Sequence, residues 1–162
     1  MSRWIYQIVG GASVLLFAEL LRTVLCQQQD TEGAQIGGFL ILFKQIRRQI
    51  AYHCAPIGEI FSHIEPSVFV ACSGRDAPIV ADSLTALTEH CIFLNEALED
   101  LAADASRQLG RGYRDEQIAA CDRYLASLER LATENAKRVN ERNRVLAVLL
   151  RAAAIGIVIL LW

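Results

Sequence analysis

Two His-Cys pairs are the first candidates for chemistry in this sequence, His53-Cys54 and His90-Cys91. Brought together they would offer four soft ligands to zinc, or a thiol beside a base. Neighbouring residues on a helix point about 100° apart, so one adjacent pair chelates the same ion only awkwardly. The blander reading is that these residues pack in a core. Glu96, Glu99, Asp100 and Asp104 form a second cluster. Acid–base work by paired carboxylates needs burial to raise a pKa. Their spacing places them on a solvated helix face instead. Gly37-Gly38 follows no strand, so it is no phosphate cradle. There is no Walker loop and no G-x-S-x-G. No catalytic residue, metal or cofactor is expected on these grounds.

The elements that position such residues read as helices. The chain has 162 residues, 53% of them hydrophobic, with a net charge of -2. That length allows one domain with a core. No isolated basic block exists, so nucleic acid has no electrostatic footprint here. Five cysteines, an odd number with no C-x-x-C, argue against a disulfide framework and for a reducing compartment. Only three prolines and few β-branched runs favour an all-α fold.

The longest element follows Leu109-Gly110-Arg111-Gly112. Ile118, Cys121, Leu125, Leu128, Ala132, Asn135 and Val139 recur at alternating spacings of three and four, one apolar seam on a helix. Asn135 and Arg142 share this register. They either specify pairing within the seam or lie past the end of the bundle, facing water. From Val145 to Trp162 the chain is apolar except for Arg151, which suggests that the helix enters a membrane. Ala152 and Gly156 then offer close helix contact in lipid. Trp4 to Cys26 is a second apolar segment of about 23 residues, long enough to span. Glu19 and Arg22 are placed to pair at its edge. A signal peptide is the rival, but no A-x-A site follows the run. Arg22, Lys44, Arg47 and Arg48 follow the first span, and Lys137, Arg138, Arg142 and Arg144 precede the second. The middle region is therefore expected on the cytoplasmic side.

Between the spans, Gln27 to Gly38 reads as a linker with three glycines. A helix with Phe39, Leu42, Phe43, Ile46 and Ile50 on one face starts at Phe39 and stops at Pro56. Pro56 opens a short helix, Ile57 to Ile64, which Pro66 ends. Ser67 to Cys72 is another turn of helix, and Ser73 to Pro78 a loop. A helix from Ile79 to about Glu89 precedes one that Asn95 caps, running through Leu98, Leu101, Ala102 and Ala105 to Leu109. Gly110 or Gly112 supplies its left-handed cap. The expected architecture is an antiparallel up-and-down bundle over residues 27–144. It is flanked by an N-terminal membrane helix (1–26) and a C-terminal one (145–162).

Three pieces together resemble the stage III sporulation protein AB family. Leu109-Gly110-Arg111-Gly112-Tyr113-Arg114-Asp115-Glu116-Gln117 is similar to that family's L-G-R-x-x-R-x-x-Q stretch before its last helix. Ala55-Pro56-Ile57-Gly58-Glu59-Ile60 is similar to its segment after the first cytoplasmic helix. Gly156-Ile157-Val158-Ile159-Leu160-Leu161 resembles its closing apolar tail. The resemblance implies a membrane protein of the mother cell facing the forespore, part of a channel-like complex. It implies a cytoplasmic domain similar to that of type II secretion platform proteins, without catalytic activity, in contact with a secretion-type ATPase and other channel subunits. Within that reading, Gly110, Arg111, Arg114, Asp115, Gln117 and Pro56 are the expected partner-binding residues. A glycine turn admits close backbone approach, and arginines make charge-assisted bonds. The alternative for the turn is plain architecture. Two other functions stay open: a membrane-tethered adaptor dimerising through the long-helix seam, and a metal or thiol enzyme built on the His-Cys pairs.

Overall fold

A computed structural model describes Leu20 and residues 30–52, 57–75 and 79–161. Among these residues the chain is all-α, with six helices and no strand. We number them α1 (residues 30–52), α2 (Ile57–Ser62), α3 (Pro66–Ser73), α4 (Leu84–His90), α5 (Glu96–Gln108) and α6 (Arg114–Leu161). Two compact units emerge. One is Thr31–Asn135, the helical core described below. The other comprises Met1–Asp30 and Ala136–Trp162, and its described part is mainly the continuation of α6.

The core is built around α1. Ile36, Phe39, Leu42, Phe43, Ile46 and Ile50 are buried along it, as the three-four spacing predicts. Phe39 stacks near Phe93 with centroids 6.0 Å apart, and Phe43 lies 5.6 Å from Tyr124 of α6. Fully burying a side chain of this size is worth about 1.5–3 kcal/mol. The seam of α6 meets this core: Cys121 and Leu128 are buried, and Ile118, Leu125 and Ala132 pack at its border. Asn135 is only 8% exposed, so the seam runs through it, whereas Arg142 faces solvent. Within Thr31–Asn135 the seam packs against the core of the same chain.

Several boundaries differ from the sequence expectation. The predicted linker is helical from residue 30 onward, so α1 begins well before Phe39. One of its glycines, Gly38, serves packing. A Cβ on Gly38 would stand 2.8 Å from the backbone N of Cys72 and 2.9 Å from the carbonyl carbon of Ala71. Glycine is therefore what lets α1 and α3 touch backbone to backbone. Pro66 opens α3 as its first residue rather than merely ending α2. The fourth helix starts at Leu84, not Ile79, because the Ser83 side chain caps it by accepting from the Ala86 N–H at 3.2 Å. Before it, Ile79 and Ala81 are buried while Val80 and Asp82 are exposed, an extended alternation of period two. The α5 expectation holds: Asn95 caps it by accepting from the Leu98 N–H at 3.2 Å, and Leu98, Ala102 and Ala105 are buried.

A buried amide completes the core. Gln35 is fully buried, and its Nε2 donates to the carbonyls of Cys72 (2.9 Å) and Ile92 (3.1 Å). The Ile92 N–H donates to the Ser73 carbonyl at 3.0 Å. Gly74, with φ +67°, closes α3 in the left-handed region directly beside Gln35. One side chain of α1 thus fixes both the end of α3 and the segment joining α4 to α5.

Among the described residues no helix is long and apolar enough to cross a membrane. The expected N-terminal span lies outside the described residues apart from Leu20. Of the expected C-terminal span, the backbone is helical to Leu161, but most side chains after Leu149 also lie outside them. The described fold therefore gives the two flanking spans no support.

Candidate docking surface

The α5–α6 turn is built by its glycines. α5 ends at Gln108, and Leu109 is extended with its N–H donating to the Ala105 carbonyl. Gly110 and Gly112 follow with φ +91° and +108°, so both glycines, rather than one of them, take the left-handed conformation. The Ile57 Cδ1 lies 3.4 Å from where a Gly110 Cβ would be, so α2 seats the turn. Glu116 then reaches back and accepts from the Tyr113 N–H at 3.1 Å, half of a capping box that starts α6. Gln117 Nε2 donates to the Gly112 carbonyl at 3.1 Å.

The arginines of this turn part company. Arg114 turns to the end of α1, where its Nε donates to the Ile50 carbonyl at 3.2 Å and its guanidinium also donates to the Ala51 carbonyl. Both acceptors are carbonyls in the last described turn of α1. That makes Arg114 a strut of the fold. Arg111 instead lines a shallow cleft of about 310 Å³ with Arg107, Gln108, Glu116, Gln117, Ala120 and Arg123. Arg107 stands 3.9 Å from Asp104, whereas Arg111 and Arg123 form no ion pair among the described residues. Two exposed tyrosines frame the same end of the core: Tyr113 (82% exposed) sits beside Arg114, and Tyr52 (78%) follows the carbonyls that Arg114 holds.

Of the expected binding residues, the structure brings Arg111 and Gln117 into the cleft, with Gly110 shaping the turn. Arg114 is spent on α1. Asp115 is exposed in the first turn of α6, where a carboxylate favours the helix dipole, and does not line the cleft. Pro56 lies outside the described residues. Sequence reading missed Arg107 and Arg123. The signal was present: Glu116, Ala120 and Arg123 repeat at helical spacing after the turn, and Arg107 and Arg111 flank it four residues apart.

Of the two His-Cys pairs, only His90-Cys91 falls among the described residues. His53 and Cys54 lie outside them. His90 Nδ1 donates to the Ala86 carbonyl at 2.7 Å, and Cys91 Sγ donates to the Cys72 carbonyl at 3.3 Å. Burial pushes the Cys91 thiol up to about 11 and the Cys72 thiol higher still. A nucleophilic thiol needs the opposite shift. Cys121 is likewise held up to about 11 by burial, with Asp122 adding to the rise. No group of three or more His, Cys, Asp or Glu residues suited to a metal occurs among the described residues.

No family model matches the chain, and neither does any curated protein or solved structure.

Proposed function

We propose that this chain is a non-enzymatic membrane component of a sporulation-specific, secretion-like channel complex between mother cell and forespore. It acts there as a platform that docks a cytoplasmic secretion-type ATPase. Apolar helices at both ends would hold an antiparallel helical bundle against the cytoplasmic face of the mother-cell membrane. The observation that carries this reading is the α5–α6 turn. The stretch that bears the family resemblance, Leu109 to Gln117, forms an exposed end with an exposed tyrosine and with Arg111, which has no ion pair among the described residues and lines a cleft with Arg123 of α6. Arginine and tyrosine are the residues that anchor protein interfaces. A docking role also suits a core in which burial raises the described thiols, Cys72 and Cys121 buried and Cys91 half-buried, away from nucleophilic reactivity.

Two measurements test the reading. The full chain should stay with membranes through alkaline carbonate washing; release into the supernatant would overturn the anchoring. A secretion-type ATPase encoded beside this chain should co-purify with the full chain in mild detergent. If it does not, the platform role is wrong.

A further inference from the structure

Along α5 the charge changes sign toward the α5–α6 turn. On α5, Glu96, Glu99 and Asp100 are exposed and Asp104 is half-exposed, and one turn later the sign reverses at Arg107. Arg111 follows in the turn and Arg123 faces the same cleft from α6. The single acid in the cleft, Glu116, is committed to the Tyr113 N–H. Asp104 is similarly occupied: it accepts from the Tyr124 hydroxyl at 2.9 Å and from Gln108 Nε2 at 3.0 Å. The cleft therefore presents three guanidinium groups against one carboxylate, two of the three without an ion pair among the described residues, beside Ala120.

From this we infer that the α5–α6 cleft binds a short acidic segment of a partner protein, whose carboxylates are taken by Arg111 and Arg123 with Arg107 at the rim. The inference deepens the docking role proposed above and rests on it. Guanidinium forks match carboxylates in paired hydrogen bonds. The volume, about 310 Å³, holds one or two side chains rather than a folded surface. The acidic ribbon beside the cleft decides against broad polyanions. Asp100, Glu99 and Glu96 lie roughly 10–17 Å from Arg107 along α5, so an extended bilayer or nucleic-acid backbone laid over the cleft would also lie over these carboxylates, a repulsion felt chiefly at low salt. A short peptide can enter the cleft and avoid the ribbon. Tyr113, exposed in the same turn as Arg111, offers an aromatic face to an apolar residue next to the acids.

The test uses the full chain in non-ionic detergent and a fluorescein-labelled hexaglutamate peptide, followed by anisotropy at low salt. Arg111→Glu combined with Arg123→Glu should weaken binding at least tenfold, and Arg111→Lys should weaken it only partly. Arg130→Glu, in the same helix but outside the cleft, should leave it unchanged. Circular dichroism checks that each variant keeps its helix content; both reversed positions are exposed, so folding is expected to survive. The inference is overturned if the double variant binds hexaglutamate as well as the wild type does. It is equally overturned if phosphatidylglycerol vesicles or a single-stranded oligonucleotide displace the peptide at equal charge concentration. The two readings separate cleanly. Co-purification of the ATPase with the double variant as with wild type sinks the cleft but spares the platform. Peptide binding without ATPase capture sinks the platform but spares the cleft.

Discussion

The two halves of α1 are held by different means. In its N-terminal half the contacts are dry and steric. Gly38 lies against the α3 backbone, and the buried Gln35 amide ties two carbonyls. In its C-terminal half, exposed ion pairs are added to the buried Phe43, Ile46 and Ile50. Arg47 pairs with Asp122 of α6 through both nitrogens, its Nη2 at 3.2 Å, and Lys44 lies 4.0 Å from Glu129. Arg114 closes the helix end from outside. The difference teaches where stability and adaptability reside. The first half fixes which helices meet; the second lies near the candidate docking end and is tuned by solvent.

The sharpest way to break this comparison is to add single methyl groups at neighbouring glycines. Gly38→Ala places a Cβ inside contact distance of immobile backbone, so α1 and α3 must move apart. We expect a loss of about 3 kcal/mol, at the upper end of overpacking costs, read as a fall in the urea midpoint. Gly37→Ala meets nothing within 4 Å. There the same methyl should stabilise by about 1 kcal/mol, because alanine removes the entropy cost of glycine in a helix. Equal effects at the two positions would show that the close approach is not rigid.

Gln35→Ala is the next largest. It removes the amide donor from the buried Cys72 carbonyl, leaving only the weak Cys91 thiol, and from the part-buried Ile92 carbonyl, at a cost of about 2 kcal/mol. A weaker effect is expected in the C-terminal half. Arg114→Ala removes two donors from partly solvated carbonyls and should cost about 1 kcal/mol. It should leave hexaglutamate binding as in wild type, because Arg114 does not line the cleft. Loss of peptide binding in a folded Arg114→Ala protein would instead return this residue to the docking surface.

The same contrast explains what could be read in advance. The apolar face of α1 from Phe39 to Ile50, the α6 seam and the Asn95 cap were legible, because periodicity and capping are local signals. The start of α1 was not. Gly33, Gly37 and Gly38 have the composition of a linker, and only the approach of α3 explains glycine at position 38. The Ser83 cap was readable but was outweighed by the apolar Ile79 and Ala81, which are buried in extended form. In the candidate site, the glycine turn and Arg111 were legible from residue type. The inward turn of Arg114 was not, since nothing local announces that the end of α1 lies beside it. Arg123 was missed because the seam drew attention to the opposite face of α6.

The smallest expected effect is the most specific. The guanidinium of Arg47, through its hydrogen bond and charge, holds the Asp122 carboxyl below its ordinary range, and Asp122 raises Arg47 in return. A carboxyl depressed in the folded state stabilises the fold at pH values above its unfolded pKa of about 3.9. That contribution fades as pH falls from there through the folded value. Arg47 stays charged throughout this window and adds no slope of its own. The stability gap between wild type and Asp122→Asn should therefore be constant near neutrality and close under acid. Because both side chains are solvent-exposed, it should also shrink in 1 M salt. The deficit of Gly38→Ala should do neither, since no charge takes part in it. Urea titrations of the three proteins at pH 7 and pH 3, with and without salt, measure this directly. A Gly38→Ala deficit that followed pH, or an Asp122→Asn gap that ignored it, would erase the distinction between the two halves of α1.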